Sequence, residues 1–223
     1  IPFHLIDIAE PGTKYNVFEF VRDFRDTYNG LKSRNVFPVL CGGSGMYVDS
    51  VVSGYSIKEV PPDQELRTRL EVMGMDELIE VFLSYRAPHN VTDFDTKKRL
   101  IRAIEIEEHC RKQPGLHSDF PQIKSLVVGI SIDRETRRQR ITERLKARIN
   151  DGMIDEVKQL ISEGIAPDDL IYYGLEYKYI TLYLINRLKY DEMLESLEIA
   201  IHQFAKRQMT WFRGMERRGV KIH

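Results

Sequence analysis

The sequence predicts an α/β fold interrupted by an all-helical insertion. Three observations carry that prediction. A short apolar run at 36–41 leads into Gly42-Gly43-Ser44-Gly45 and then an apolar helical stretch at 46–52; strand, glycine turn and helix in that order are the grammar of an α/β sheet. A second apolar run, Ser-Leu-Val-Val-Gly-Ile-Ser-Ile at 125–132, reads as the clearest strand. Between the two lies a block, 59–118, with helical periodicity and no strand signal.

Taken in order, Pro11-Gly12 marks a turn, and 17–31 reads as an amphipathic helix with Phe18, Val21, Phe24 and Tyr28 near helical spacing. Pro61-Pro62-Asp63 changes the character of the chain, and Asp63 is placed to N-cap a helix running to 73. Helices at 76–85 and 95–109 follow, and Gln113-Pro114-Gly115 closes the block. After the strand at 125–132, Asp133 caps a helix that reaches 149 or beyond; further helices span 155–163, 176–188 and 191–215. The expected organisation is therefore core at 1–58, helical insertion at 59–118, and the rest of the core with C-terminal helices at 119–223.

Composition bounds the function. A chain of 223 residues accommodates one large domain or two small ones. Its 42% hydrophobic content suffices for a core, and its 30% charged content gives a solvated surface, which places it in the ordinary globular class. A net charge of −1 exerts no global pull on nucleic acid, so an RNA-binding surface has to come from local clustering. Cys41 and Cys110 make neither a disulfide framework nor a zinc site, which fits a reducing, cytoplasmic compartment. There is no apolar run of membrane-spanning length and no cationic-then-apolar leader, so no membrane partner is expected. His4, His109 and His202 stand alone, none of the histidines has metal-ligand spacing, and no G-x-S-x-G or P-loop motif occurs.

Cations cluster in three places. Arg137, Arg140, Arg144 and Arg148 share one face of the helix after 132, and the window 131–150 holds seven cations against three acids. Repulsion between like charges four apart costs only about 0.2–0.5 kcal/mol per pair, and such a row invites an anion; a solvated face partly neutralised by Glu135 and Glu143 is the alternative. Lys98, Arg99 and Arg102 lie together on the third insertion helix, which also carries Glu105, Glu107 and Glu108, so a salt-bridged surface helix competes with a binding face there. The third cluster is Lys206-Arg207-Gln208-Met209-Thr210-Trp211-Phe212-Arg213. Residues 206–221 hold six cations and one acid, a stripe that suits an acidic partner. Cations bind phosphates and aromatic faces stack on splayed bases, although Trp211 and Phe212 equally suit a core. Gln203, Lys206, Arg207, Thr210, Arg213 and Arg217 are expected on the polar face of that helix, and Leu194, Leu197, Ile201, Phe204 and Ala205 on the buried one.

Four of these segments, in order along essentially the whole chain, resemble the tRNA dimethylallyltransferases (tRNA isopentenyltransferases, bacterial type). Pro2-Phe3-His4-Leu5-Ile6-Asp7 resembles P-H-H-L-I-D; Gly42-Gly43-Ser44-Gly45-Met46-Tyr47 resembles G-G-T-G-L-Y, with Ser44 in the Thr position; Lys98-Arg99-Leu100-Ile101-Arg102-Ala103 resembles Q-R-V-I-R-A; and 206–213 resembles K-R-Q-x-T-W-x-R. The resemblance implies a P-loop, nucleotide-kinase-like α/β core with a helical insertion. It implies transfer of a dimethylallyl group from dimethylallyl diphosphate, with Mg²⁺, to the exocyclic amine of an adenine flipped out beside the anticodon, while the insertion and C-terminal helices grip the anticodon stem-loop. It further implies that Arg144 faces the diphosphate, that Gly42, Gly43 and Tyr47 line the substrate channel, and that Ser44, Arg67, Lys98, Arg99, Leu100, Ile101, Arg102 and Lys206, Arg207, Gln208, Met209, Thr210, Trp211, Phe212, Arg213 contact tRNA.

Departures from the family pattern shape the expectation. The chain opens Ile1-Pro2-Phe3 without an initiator Met, and the family's P-loop, its catalytic acid and most of its Mg²⁺ site precede that point. An N-terminal truncation is expected, with this chain alone inactive and the complete protein a monomer. The family's G-Y-K/R segment appears as Gly174-Leu175-Glu176, where a glutamate repels phosphate and Lys178 is the available substitute. The alternatives are an adenylate isopentenyltransferase acting on free nucleotides, against which the basic C-terminal helix and the insertion argue, and a non-catalytic RNA-binding fragment.

Overall fold

The computed structural model describes residues 1–54, 59–87, 95–113 and 123–223. The chain divides into two compact units, Ile1–Tyr55 with Phe120–His223, and Ser56–Asp119.

In the first unit, α1 (Val17–Ser33) starts at a capping box. The Asn16 side chain accepts from the backbone N–H of Phe18 and Glu19, and the Glu19 carboxylate accepts from Asn16 N–H at 2.7 Å. It packs on α2 (Gly45–Val52), with the Phe20 and Tyr47 rings 4.8 Å apart.

The second unit is built from α3 (Gln64–Glu71), α4 (Met75–Leu83) and α5 (Lys97–Lys112). Asp63 caps α3 as expected, accepting from Leu66 N–H, and Thr96 caps α5. Leu66, Leu70, Leu78, Phe82, Leu100, Ile101 and Ile104 form its core. Helical spacing explains the set: each helix contributes residues three or four apart, one stripe facing inward. The Pro114-Gly115 turn and the expected boundary at 118/119 lie outside the described residues.

The remaining helices belong to the first unit: α6 (Arg134–Asn150), α7 (Met153–Ser162), α8 (Pro167–Tyr173), α9 (Leu175–Leu184) and α10 (Tyr190–Arg217). Asp133 caps α6, and Gly152, at φ +94°, adopts the left-handed conformation that lets the chain turn into α7. α8 is not among the expected helices, although Pro167 at its first turn and Asp168 and Asp169 beside it are start signals. Leu145, Met153, Val157, Leu170, Ile180, Met193 and Leu197 make the core.

The expected strands require correction. Among the described residues there is no sheet ladder, only an isolated parallel bridge between Val127 and Ile222. Gly129 N–H donates to His223 O at 2.8 Å and His223 N–H to Val127 O at 2.9 Å. A strand exists through the neighbour that takes its backbone groups; the run at 36–41 finds none, and 125–132 finds this one contact. Their apolar side chains, expected to be buried, stand in solvent, with Phe37 88% and Ile130 93% exposed. Phe204 is also exposed, whereas Leu197 on the same helix is fully buried.

Candidate functional site

The glycine turn and the basic C-terminal helix, far apart in sequence, meet in the first unit. Gln208 Nε2 donates to Gly43 O at 2.7 Å. Trp211 Nε1 donates to Asp49 Oδ2 at 3.0 Å, and the Arg218 guanidinium donates to the same oxygen. Ser53 Oγ donates to Asp49 Oδ1 at 2.7 Å. Asp49 is fully buried, so these donors replace the water that a carboxylate otherwise needs. The approach of helix to turn is close: a Cβ on Gly45 would lie 2.5 Å from Trp211 Cγ, and one on Gly43 2.7 Å from Gln208 Nε2. Gly45 therefore leaves no room for a side chain while α10 lies against it, whereas a methyl on Gly43 would meet only the end of the Gln208 amide. Gln208 and Trp211 face the turn.

The other face of α10 is open. Lys206, Arg207, Thr210 and Arg213 are exposed, and Thr210, Arg213, Glu216 and Arg217 line a shallow cleft; Met209 and Phe212 are half-buried. Ser44 occupies the N-cap position of α2 without making a side-chain capping bond, and Gly42 is exposed beside it. Tyr47 is half-buried; burial first, then the neighbouring Tyr172 and Glu19, push its phenol pKa up, so it is a neutral donor at physiological pH.

Arg144 projects from α6 beside buried Leu145. It shares a small cavity with Ile141, Leu145, Arg148, Glu176 and Ile201. Two guanidiniums and one carboxylate line this cavity, so an anion meets net positive charge. Lys178 instead lies over the Tyr179 ring, 5.3 Å from its centroid.

In the second unit, Arg67 and Arg102 converge on Glu105, which is 1% exposed. Arg67 donates through Nε and one terminal nitrogen to the two carboxylate oxygens, both at 2.8 Å, a bidentate pair. Arg102 donates to Glu105 and to Val60 O, and Asp63 N–H donates to Glu105 at 2.7 Å. Burial alone would push the Glu105 carboxyl up; hydrogen bonds from Arg67, Arg102 and the Asp63 backbone outweigh it and hold the pKa below its ordinary value. Lys98 is exposed, and Arg99 pairs with Asp95 at 3.0 Å. Leu100 and Ile101 are core side chains of this unit, which corrects their expected place on a binding surface.

The IPP transferase family model matches residues 1–215. The chain belongs to the IPP transferase family. It is 60% identical, over its full length and 73% of the relative's, to a protein from Bacteroides fragilis named tRNA dimethylallyltransferase 2. It superposes on the full-length tRNA isopentenylpyrophosphate transferase of Bacillus halodurans with a TM-score of 0.64 at 29% identity, covering 96% of this chain and 69% of that one. A eukaryotic dimethylallyltransferase caught acting on tRNA shares the fold, with a TM-score of 0.70 at 17% identity over 95% of this chain and 56% of that one.

In this IPP transferase, the described residues hold no group of three or more His, Cys, Asp or Glu suited to a metal ion. None of the described helices is long and apolar enough to cross a membrane. Sequence reasoning missed Asp49 and Arg218 in the first unit and, separately, Glu105 in the second. The available signal was local for Glu105, three residues after Arg102 on one helix; Asp49 offered none, because Trp211 lies 162 residues away.

Proposed function

We propose that the protein of which this chain is part transfers a dimethylallyl group from dimethylallyl diphosphate to N6 of the adenosine 3′-adjacent to the anticodon (tRNA position 37), giving i6A, in the cytoplasm and as a monomer. The single observation that carries this reading is the seating of the glycine turn on α10, which joins Ser44 and the cations Lys206, Arg207 and Arg213 in one unit of an IPP transferase. In the reaction the N6–C bond forms, the C–O bond to diphosphate breaks, and a proton leaves the amine. Arg144, which lines the α6 cavity, stabilises charge that builds on the departing diphosphate. The exposed cations of α10, with Lys98 and Arg67 of the helical unit, hold the phosphates of the anticodon stem-loop, and the exposed part of Trp211 offers a ring edge to a splayed base. The P-loop α/β core of the complete enzyme supplies the remaining diphosphate contacts.

Two assays test the reading. The full-length protein is expected to prenylate tRNA and not AMP; product on AMP alone would establish the adenylate isopentenyltransferase instead. The 223-residue chain is expected to bind a fluorescent anticodon stem-loop with steep salt dependence. Arg207→Ala and Arg213→Ala are each expected to weaken binding and to lower the salt slope by about 1. Affinity indifferent to both substitutions would remove α10 from the RNA interface.

A further inference from the structure

Asp49 lies outside every motif that carries the family resemblance, yet the contacts around it organise two of them. Its carboxylate is fully buried and, among the described residues, takes side-chain donors from Ser53 in its own helix region and from Trp211 and Arg218 in α10 and at its end. The Trp211 indole in turn occupies the space that a Cβ on Gly45 would take. One residue earlier in the turn is Ser44, whose side chain makes no capping bond. Two residues earlier, Gly43 O accepts from Gln208. The turn is thus pinned to α10 at two points on either side of Ser44, by Gln208 and Trp211, with Lys206 and Arg213 on the opposite face of the helix.

We propose that Asp49 is a positioning residue for RNA. By fixing the Trp211 indole and the Arg218 guanidinium, it sets the Ser44 turn and the cationic face of α10 in one geometry before substrate arrives. The proposal rests on the RNA-binding reading above. Its physical basis is preorganisation: a surface already held in its bound arrangement loses less conformational freedom on binding.

The chain contains one tryptophan, so intrinsic fluorescence reports on the Asp49–Trp211 contact directly. Asp49→Asn is expected to shift Trp211 emission to the red and raise its quenching by acrylamide, with helical circular dichroism retained. The affinity of the folded protein for a fluorescent anticodon stem-loop is expected to fall roughly tenfold, the equivalent of losing one hydrogen bond to a charged group. The salt slope is expected to be unchanged, because no phosphate contact is removed. Trp211→Phe keeps an aromatic ring against Gly45 but removes the donor, and should weaken RNA binding similarly. The double variant should bind about as well as either single one, as coupled partners do. Because Trp211→Phe leaves the buried charge paired with Arg218, it tests the proposal even if Asp49→Asn does not fold. Unchanged RNA affinity in folded Asp49→Asn or Trp211→Phe, with only the urea midpoint lowered, would reduce Asp49 to a stabilising residue and overturn the proposal. Losses that add in the double variant would also overturn it. A parent chain that does not bind the RNA at low salt defeats the functional reading, and with it the proposed role. The fluorescence of Asp49→Asn still decides separately whether the clamp exists.

Discussion

Glu105 illustrates how one side chain decides the character of a surface. Three hydrogen-bond donors hold its carboxyl below the ordinary value of 4.5. A group depressed on folding contributes stability that is fully present above its unfolded pKa and is lost as the pH falls through its folded one. The helical unit should therefore weaken only below about pH 4.5, and Glu105→Gln should flatten that acid limb. At neutral pH the same substitution should cost about 2–3 kcal/mol, towards the low end because Arg67 and Arg102 each keep a face in water. Urea titrations across pH check both effects; an acid limb identical in parent and variant would show that another carboxylate sets it. The sequence placed Glu105 among the ordinary acids of a salt-bridged helix. A buried carboxylate and a solvated one are spelled alike, and only the packing of α3 onto α5 distinguishes them.

Secondary structure was legible where the signal is local. Asp63 and Asp133 sit where capping chemistry needs them, and the helices that follow start as expected. Strands are different, since the apolar runs at 36–41 and 125–132 carry the right side chains but depend on a partner that no local pattern specifies. The glycine turn falls between these cases. Its composition suggested a turn, whereas the reason for Gly45 is the indole of a helix far along the chain. Gly45→Ala should be costly, because the added methyl meets Trp211 near the root of the side chain, where the ring cannot swing aside. Overpacking of this kind costs about 1–3 kcal/mol. Gly43→Ala meets only the end of the Gln208 amide, which can move, and should cost less. Thermal melts of the two variants rank them; equal losses would mean that α10 shifts as a body.

At the scale of the whole molecule, the cationic faces are local features of a chain with a net charge of −1. With such a balance, attraction to a polyanion such as the proposed RNA substrate depends on which face is presented. The exposed runs work against solubility. Leu126, Val128 and Ile130 stand in solvent on a segment whose backbone groups are largely without a strand neighbour, the combination that invites a second copy to add an edge. The 223-residue chain should associate in a concentration-dependent way, and Val128→Lys should suppress this; a stable monomer in size-exclusion chromatography at high concentration would count against the expectation. The bridge between Val127 and Ile222 bears on how the protein is handled in practice. Because the backbone of His223 exchanges hydrogen bonds with Val127 and Gly129, a change that displaces residue 223 pulls on the segment that precedes α6. A dye attached at the same place becomes a gauge of whether that segment is seated.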